Sequence, residues 1–423
     1  MKLKKSPALR APVNSGFKTA ISVLTLMSCL AIGSAQAADT GPRHHAQGQY
    51  DTVTATYVVV EGDDLIAIGE RFEVPVDALK ARNKLSSNEI KVGDKLAIGA
   101  ADASAESAIV VNVDNFDRAQ TDFEYAGMVK LAGGINKIHS NRTPTPIDKQ
   151  NVIRMNRDTL YSLGVVNISK GATITLPDGG KRYMSLMVIN NDGYVNDVYY
   201  GEGSYTLTVD KFDTPYVGIV IRTLANPEDP ADLAMAHKLQ DQIKISAGSD
   251  EPFVLPNYDK ASYKATLEAI LDLAKGLKRY TQTFGSKAEV NPVHFLIGTA
   301  SAWGGLPDKD AQYVNVQPGL PVGEYELTVR DVPVKGFWSI SLYNAKGYFQ
   351  QNDLNAYSLN NLIAKPNSDG SYTIRFGGCT ATTENCLPIM DGWNYAVRMY
   401  EPSQAIIDGT WTFPGPPKPR STH

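Results

Sequence analysis

From about residue 109 onward the chain is built of short apolar runs with period-two alternation, broken by Gly, Pro, Asn and Asp, and this rhythm most limits what it can fold into. Tyr205, Leu207 and Val209 fall on one face of such a run, as do Tyr216, Gly218 and Val220, and Tyr325, Leu327 and Val329. Phe337–Tyr343, Tyr372–Phe376 and Tyr395–Tyr400 continue the pattern. Parallel sheets need a helix between successive strands, and that alternation is absent, so a doubly wound fold is disfavoured. Helical spacing interrupts the strands in three places. Asp114–Leu131 opens on an Asp/Asn cap and is predicted to bury Phe123, Ala126 and Met128 or Val129. Ala231–Ile243 is the second, and Ala261–Phe284 is the third, with Leu267, Ile270, Leu271, Ala274 and Leu277 as its buried stripe. The expected class is α+β, mainly β: antiparallel sandwich or jelly-roll-like domains with a few packed helices. At 423 residues, 43% of them hydrophobic, the chain can bury cores for two or three domains.

The N-terminus carries an address. Lys2, Lys4, Lys5, Arg10 and Lys18 precede an apolar stretch, Thr19–Ala31, and Ala35-Gln36-Ala37 is a small-residue cleavage signal. The apolar stretch falls short of the roughly 20 residues that a spanning helix needs. Residues 1–37 therefore read as a signal peptide, with export to the periplasm or cell envelope and no transmembrane segment after cleavage; the alternative is an uncleaved anchor. Leu26-Met27-Ser28-Cys29 has a trace of a lipidation site, but the apolar residues after Cys29 argue against it. The leader holds five basic and no acidic residues, so its removal takes the net charge from −4 to −9, and neither value makes an electrostatic case for nucleic acid. It also leaves two cysteines, Cys379 and Cys386. In an exported chain this pair predicts one disulfide closing the polar loop Thr380–Asn385, the alternative being two free thiols in adjacent strands. No His lies near the pair, which speaks against zinc.

Residues 57–98 form a module with β-α-α-β order. Tyr57 and Val59 alternate as a strand, and Gly62-Asp63-Asp64-Leu65 turns into a helix that Asp63 or Asp64 can cap. Leu65, Ile68 and Phe72 repeat at helical spacing; Val76, Leu79 and Asn83 suit a second short helix, with Leu85 and Ile90 packing beneath. Gly93 turns the chain into a last strand with Leu96 and Ile98. These positions resemble a LysM domain: its opening Y-x-V-x-x-G-D-x-L-x-x-I from Tyr57 to Ile68, its central Asn83-x-Leu85 and its closing Gly93-x-x-Leu96-x-Ile98. Asp64 stands where the family usually has Thr, and Gly69 where it usually has Ala, a change that weakens a helix by up to about 1 kcal/mol. The resemblance implies binding of N-acetylglucosamine-containing glycan, in a bacterial envelope peptidoglycan. The sugar would lie between Gly62, Asp63, Asp64 and Leu65 on one side and Asn88, Glu89 and Ile90 on the other. A single copy binds modestly without multivalency, and a module that keeps the fold without tight binding is the alternative. The flanks 38–56 and 99–108 have linker composition, and 38–56 is expected to be disordered, with His44-His45 solvated.

The body resembles two uncharacterised domains in tandem, DUF1254 and DUF1214. The first is signalled by the run Val152-Ile153-Arg154-Met155-Asn156-Arg157-Asp158-Thr159-Leu160-Tyr161-Ser162. The second is signalled by Phe337–Tyr343, Asn352, Tyr357-Ser358, Asp369-Gly370-Ser371, Asn385–Pro388, Arg398-Met399-Tyr400 and Asp408–Trp411. Cys386 stands where the family usually has Trp. The resemblance implies β-rich domains over 109–250 and 311–415, a helical connection over 251–310 and a tail over 416–423. It also implies an envelope location, and supplies no established reaction.

The chain lacks a G-x-S-x-G elbow, S-x-x-K, H-E-x-x-H and a P-loop. His139, His237 and His294 have no second His at helical ligand spacing, so neither a metal nor a cofactor is implied. The densest polar constellation is Arg154–Tyr161. If it opens a strand, Asn156, Asp158 and Leu160 face one side and Arg157, Thr159 and Tyr161 the other. Asp158 could then act as a general base, with Arg157 or Arg154 holding an anion and Tyr161 donating a proton. The competing reading is a stabilising turn in which Asp158 is paired and Tyr161 packed. Arg398, beside Tyr400 on the last strand, is a carboxylate ligand or a buried ion pair. Two functions follow: a wall-associated glycan binder with a ligand-binding or structural body, or an envelope hydrolase whose body acts on a wall or periplasmic small substrate.

Overall fold

The structure, a computed structural model, describes residue 46 and residues 48–51, 55–72, 74–98, 108–150, 152–277 and 281–420. The leader, His44-His45, most of 38–56 and the linker up to residue 107 lie outside the described residues. Two compact units divide between Ile109 and Val110.

In the smaller unit the apolar positions of the sequence close on one another: Tyr57, Leu65, Ile68, Leu79 and Leu96 are buried in one cluster. Helices Leu65–Phe72 and Val76–Asn83 lie between strands Thr56–Val58 and Lys95–Ala97, which pair antiparallel. Asn83 explains its place in the motif. Its Nδ2 donates to Leu79 O and Ala97 O, and its Oδ1 accepts from Ala97 N at 2.7 Å, so one side chain fastens the second helix to the last strand. Two expectations change. Tyr50–Asp51, expected within a disordered linker, is a third strand paired with Thr56–Val58, held by Tyr50 packing on Phe72 at 4.7 Å. Gly69 is no defect, because a Cβ there would stand 2.7 Å from the Val74 carbonyl oxygen.

The larger unit stacks two sandwiches. The first pairs a five-stranded sheet, in the order His139–Ser140, Thr159–Asn167, Tyr216–Leu224, Met184–Asn190, Val195–Tyr200, with a three-stranded sheet of Lys244–Ala247, Ala172–Leu176 and Gly203–Leu207. Val166, Leu186, Val188, Ile219 and Ile221 fill the space between them with Ile174 and Leu207. The second pairs Ala311–Val316, Asn394–Tyr400, Trp338–Tyr343 and Ser358–Asn360 with Cys386–Leu387, Tyr372–Phe376, Tyr325–Val329 and Lys418–Pro419. Its core holds Leu327, Trp338, Ile340, Ile374, Phe376, Tyr395, Val397 and Met399. The outer face of the five-stranded sheet (Leu163, Val165, Met187, Ile189, Val220) shares a further cluster with Trp303, Phe337 and Tyr400, which joins the sandwiches.

Helices Phe116–Ala132, Lys260–Leu273 and Pro292–Ala302 share their own core. The third predicted helix ends at Leu273 rather than Phe284, followed by Gly276 at φ +88°. In Phe116–Ala132 the deepest aromatics are Phe116 and Tyr125, while Phe123 is half-buried. Tyr125 docks the helix on the sheet, accepting from Gly218 N and donating to Ile189 O, both at 2.7 Å. Val209 begins a short helix, Val209–Phe212, instead of continuing its strand. Cys379 and Cys386 are disulfide-bonded, with Cα atoms 5.6 Å apart. Among the described residues no helix is long and apolar enough to cross a membrane.

Glu124 is 4% exposed on the inner side of its helix. It accepts from Gln120 Nε2 at 2.9 Å, and burial pushes its carboxyl up from 4.5 to about 8. The folded chain thus holds this proton across a window in which the unfolded chain has lost it, so stability falls as pH rises from 4.5 towards 8. The thermal midpoint is expected to be higher at about pH 5 than at about pH 8, and Glu124→Gln to flatten that slope by up to about 1.4 kcal/mol per pH unit. Calorimetry of the two proteins across that range checks it. For the smaller unit, Gly69→Ala is expected to lower the midpoint in circular-dichroism melts, where helix propensity alone predicts a gain of about 1 kcal/mol.

Candidate functional site

The two loops expected to hold glycan lie side by side: Gly93 N donates to Val59 O at 2.8 Å, and Val59 N to Asp94 O at 2.9 Å. Within the first loop most side chains are engaged in building it. Asp63 Oδ2 accepts from Tyr57 Oη at 2.6 Å and from Val60 N at 2.9 Å. Asp64 Oδ1 accepts from Ala67 N at 2.8 Å, the first-turn cap. Leu65 is buried in the core. Gly62 adopts φ +90° with open space where a Cβ would be, so its backbone is approachable. Asn88 and Glu89 are exposed opposite, and Ile90 is half-buried. Ile66 (57%), in the first turn of the helix that the first loop leads into, and Val92 (68%), in the second loop, are also exposed, apolar groups that carry no motif signature because exposure is decided by the fold.

In the body, the strand carrying Tyr161 begins at Thr159, so Arg154–Asp158 is a loop and its residues do not alternate between sheet faces as expected. Arg154 takes φ +55°, and its N donates to Gly347 O at 2.7 Å, which turns the chain towards the second sandwich. Arg398 reaches that loop from the opposite sheet. Its guanidinium donates to Arg154 O (2.7 Å), Met155 O (3.3 Å), Tyr343 Oη (2.8 Å) and Ser341 Oγ (2.8 Å). Asp158 is 2% exposed and accepts from Ser339 Oγ at 2.6 Å, while its Oδ1 has no partner among the described residues. Burial raises the Asp158 pKa, opposed by the Arg398 charge and the Ser339 hydrogen bond.

Arg157 lies over the Tyr357 ring at 5.1 Å and 3.6 Å from Glu228. With Asp158, Asn226 and Asn360 these residues line a cleft of about 30 Å³. On that measure one water needs about 10–15 Å³, so the cleft admits a water or two and no substrate. Arg157 and Asp158 share this cleft. Tyr161 belongs to the cluster on the other side of the sheet, and Arg398 is occupied with the loop.

That cluster contains a residue the motif reading passed over. Arg222 is 4% exposed on Tyr216–Leu224 and lies directly opposite Tyr161 in the register. Its Cζ stands 5.4 Å from the Tyr161 ring centroid, and its Nη2 donates to Gly304 O at 3.2 Å. Asn156 Nδ2 donates to the hydroxyls of Tyr161 (3.1 Å) and Tyr400 (3.2 Å). Burial pushes the Tyr161 phenol up. The Arg222 charge, with hydrogen bonds from Asn156, Thr159 and Arg222, outweighs burial and leaves it below its ordinary value. A signal was available: Ile219-Val220-Ile221-Arg222-Thr223-Leu224 is an apolar run with one charge, and a buried charge needs a reason.

Residues 57–99 match the LysM domain, residues 135–206 match DUF1254, a protein of unknown function, and residues 308–404 match DUF1214, likewise of unknown function. The chain thus carries these three domains in that order. No curated protein matches it. The crystal structure of the VPA0106 protein from Vibrio parahaemolyticus aligns with a TM-score of 0.55 at 18% identity, covering 73% of this chain and 99% of that one, and shares the fold. An uncharacterized protein from Burkholderia cenocepacia aligns at a TM-score of 0.39 and 14% identity, covering 69% and 84%.

Among the described residues Ser339 supplies the one side-chain hydrogen bond to the buried Asp158 carboxyl. Ser339→Ala is expected to cost about 1–3 kcal/mol, the range for leaving a buried acceptor unsatisfied, read as a drop in the urea midpoint of the body's transition.

Proposed function

We propose that this is an exported cell-envelope protein that binds the N-acetylglucosamine glycan of peptidoglycan through its LysM module and holds the β-rich body at the wall. The observation that carries this reading is the LysM match over 57–99, together with loops tied edge to edge and an approachable Gly62 backbone. Backbone amides and the exposed Asn88 and Glu89 suit an acetamido sugar, which presents both donors and acceptors, while Ile66 and Val92 offer apolar contact. The n/h/c pattern of residues 1–37 and the disulfide favour an oxidising compartment outside the cytoplasm.

A second reading, that the body is a hydrolase, is favoured by the unpartnered Asp158 Oδ1 bordering a water-sized cleft beside Arg157. There Asp158 would take a proton from water as general base, with Arg157 holding an anionic group. The size of the cleft weighs against it. The experiment incubates the protein, and a version lacking 57–98, with isolated peptidoglycan sacculi, and follows the bound fraction and released products by mass spectrometry. Binding that depends on 57–98 and releases nothing is the expected result; binding retained without 57–98 would overturn the LysM assignment. Fragments released by the wild type and abolished by Asp158→Asn would establish the hydrolase instead.

A further inference from the structure

Arg222 is the body's most conspicuous buried charge. Among the described residues no carboxylate forms an ion pair with it, and its hydrogen bonds run to the Gly304 carbonyl at 3.2 Å, the Met187 sulfur at 3.9 Å and the Tyr161 phenol. A guanidinium this far from water ordinarily has an anion beside it. Arg398, the other buried guanidinium, feels the charge of Asp158 and donates to four oxygens of its own.

What surrounds Arg222 is phenols. Tyr161 lies 5.4 Å from it, and Tyr161 and Tyr400 both accept from Asn156, which leaves their hydroxyl protons to be donated elsewhere. Tyr183, whose ring is 5.5 Å from that of Tyr400, is buried, with the Ser185 hydroxyl beside its own. Tyr313 completes the group. It pairs with Arg398 on the edge strand Ala311–Val316, and its phenol interacts electrostatically with Arg222, Tyr161 and Arg398. The residue is nonetheless 49% exposed, so it spans from solvent to the cluster. Cation and O–H donors converge where acceptors are few, the inverse of what a self-contained protein interior needs.

We propose that Arg222 with Tyr161, Tyr183, Tyr313 and Tyr400 forms an anion site that takes the carboxylate of a small organic acid, entering past Tyr313. The charge sets the class: one uncompensated guanidinium is balanced by a monoanion, whereas a phosphate dianion would leave excess negative charge buried. The planar fork of Arg222 matches the two oxygens of a carboxylate, and phenol protons complete its lone pairs. The lowered Tyr161 pKa agrees with this, since without a ligand the imbalance falls on the nearest phenol. The site is independent of glycan binding by the LysM module.

The test titrates the full chain with acetate, benzoate and, for comparison, inorganic phosphate, by calorimetry. At least one carboxylate is expected to bind with one-to-one stoichiometry, and phosphate about tenfold or more weakly. Binding should suppress the near-ultraviolet tyrosinate absorbance that the free protein develops on raising the pH. Arg222→Met should abolish binding. Should that variant fail to fold, Tyr313→Phe, which removes only a hydroxyl from a half-exposed ring, decides the matter through a several-fold loss of affinity. No binding by either carboxylate, equal binding of phosphate, or affinity unchanged in Tyr313→Phe would overturn the proposal.

Discussion

Arg398 carries its charge into the middle of strand Asn394–Tyr400, and there its fork closes the loop 154–158 against the second sandwich. The loop arrives with two main-chain carbonyls that have left the sheet, and the strand arrives with a cation that has left water. Each meets the other's need at 2.7–3.3 Å. Buried carbonyls and buried guanidiniums are costly alone and tolerable together, which is why the loop takes one conformation, with Arg154 at φ +55°. Ser339 and Asn156 extend the arrangement, the first to the Asp158 carboxyl and the second to its backbone N–H.

The same network leaves an electrostatic remainder. Two guanidiniums, Arg222 and Arg398, are buried with one carboxylate, Asp158, whose pKa is itself raised by burial. Phenols supply dipoles, and Tyr161 supplies some readiness to ionise, but neither equals a countercharge. A stabilising turn and a functional group are therefore not exclusive descriptions of residues 154–161. Arg154, Asn156 and Asp158 hold the joint, and Tyr161 faces the buried Arg222 beside it.

Strands with one solvated face were legible in the sequence because burial alternates along them: Tyr325–Val329 puts Tyr325, Leu327 and Val329 inside and leaves Thr328 exposed. Met184–Asn190, buried at every position between two cores, has no period to read. The LysM loops were legible as a pattern but not as roles, since Asp63 and Asp64 belong to the motif while their carboxylates serve Tyr57, Val60 and Ala67. Tyr50–Asp51 was illegible for lack of any run, its strand being defined by the partner it pairs with. Arg222 needed the opposite habit of reading, in which a charge inside an apolar run counts for more than a dense polar motif.

The family matches at 135–206 and 308–404 do not mark two independent bodies. Tyr216–Leu224 falls outside both, yet it pairs with Thr159–Asn167 on one side and Met184–Asn190 on the other, so the five-stranded sheet would divide without it. Trp303 is also outside both matches and packs in the cluster shared by Leu163, Phe337 and Tyr400. The phenol group draws Tyr161 and Tyr183 from the first matched stretch and Tyr313 and Tyr400 from the second, with Arg222 from the strand between. Chemistry assigned to the phenol group from either matched stretch alone would lack part of its donors, so that group is a property of the two stretches packed together and of the strand between them.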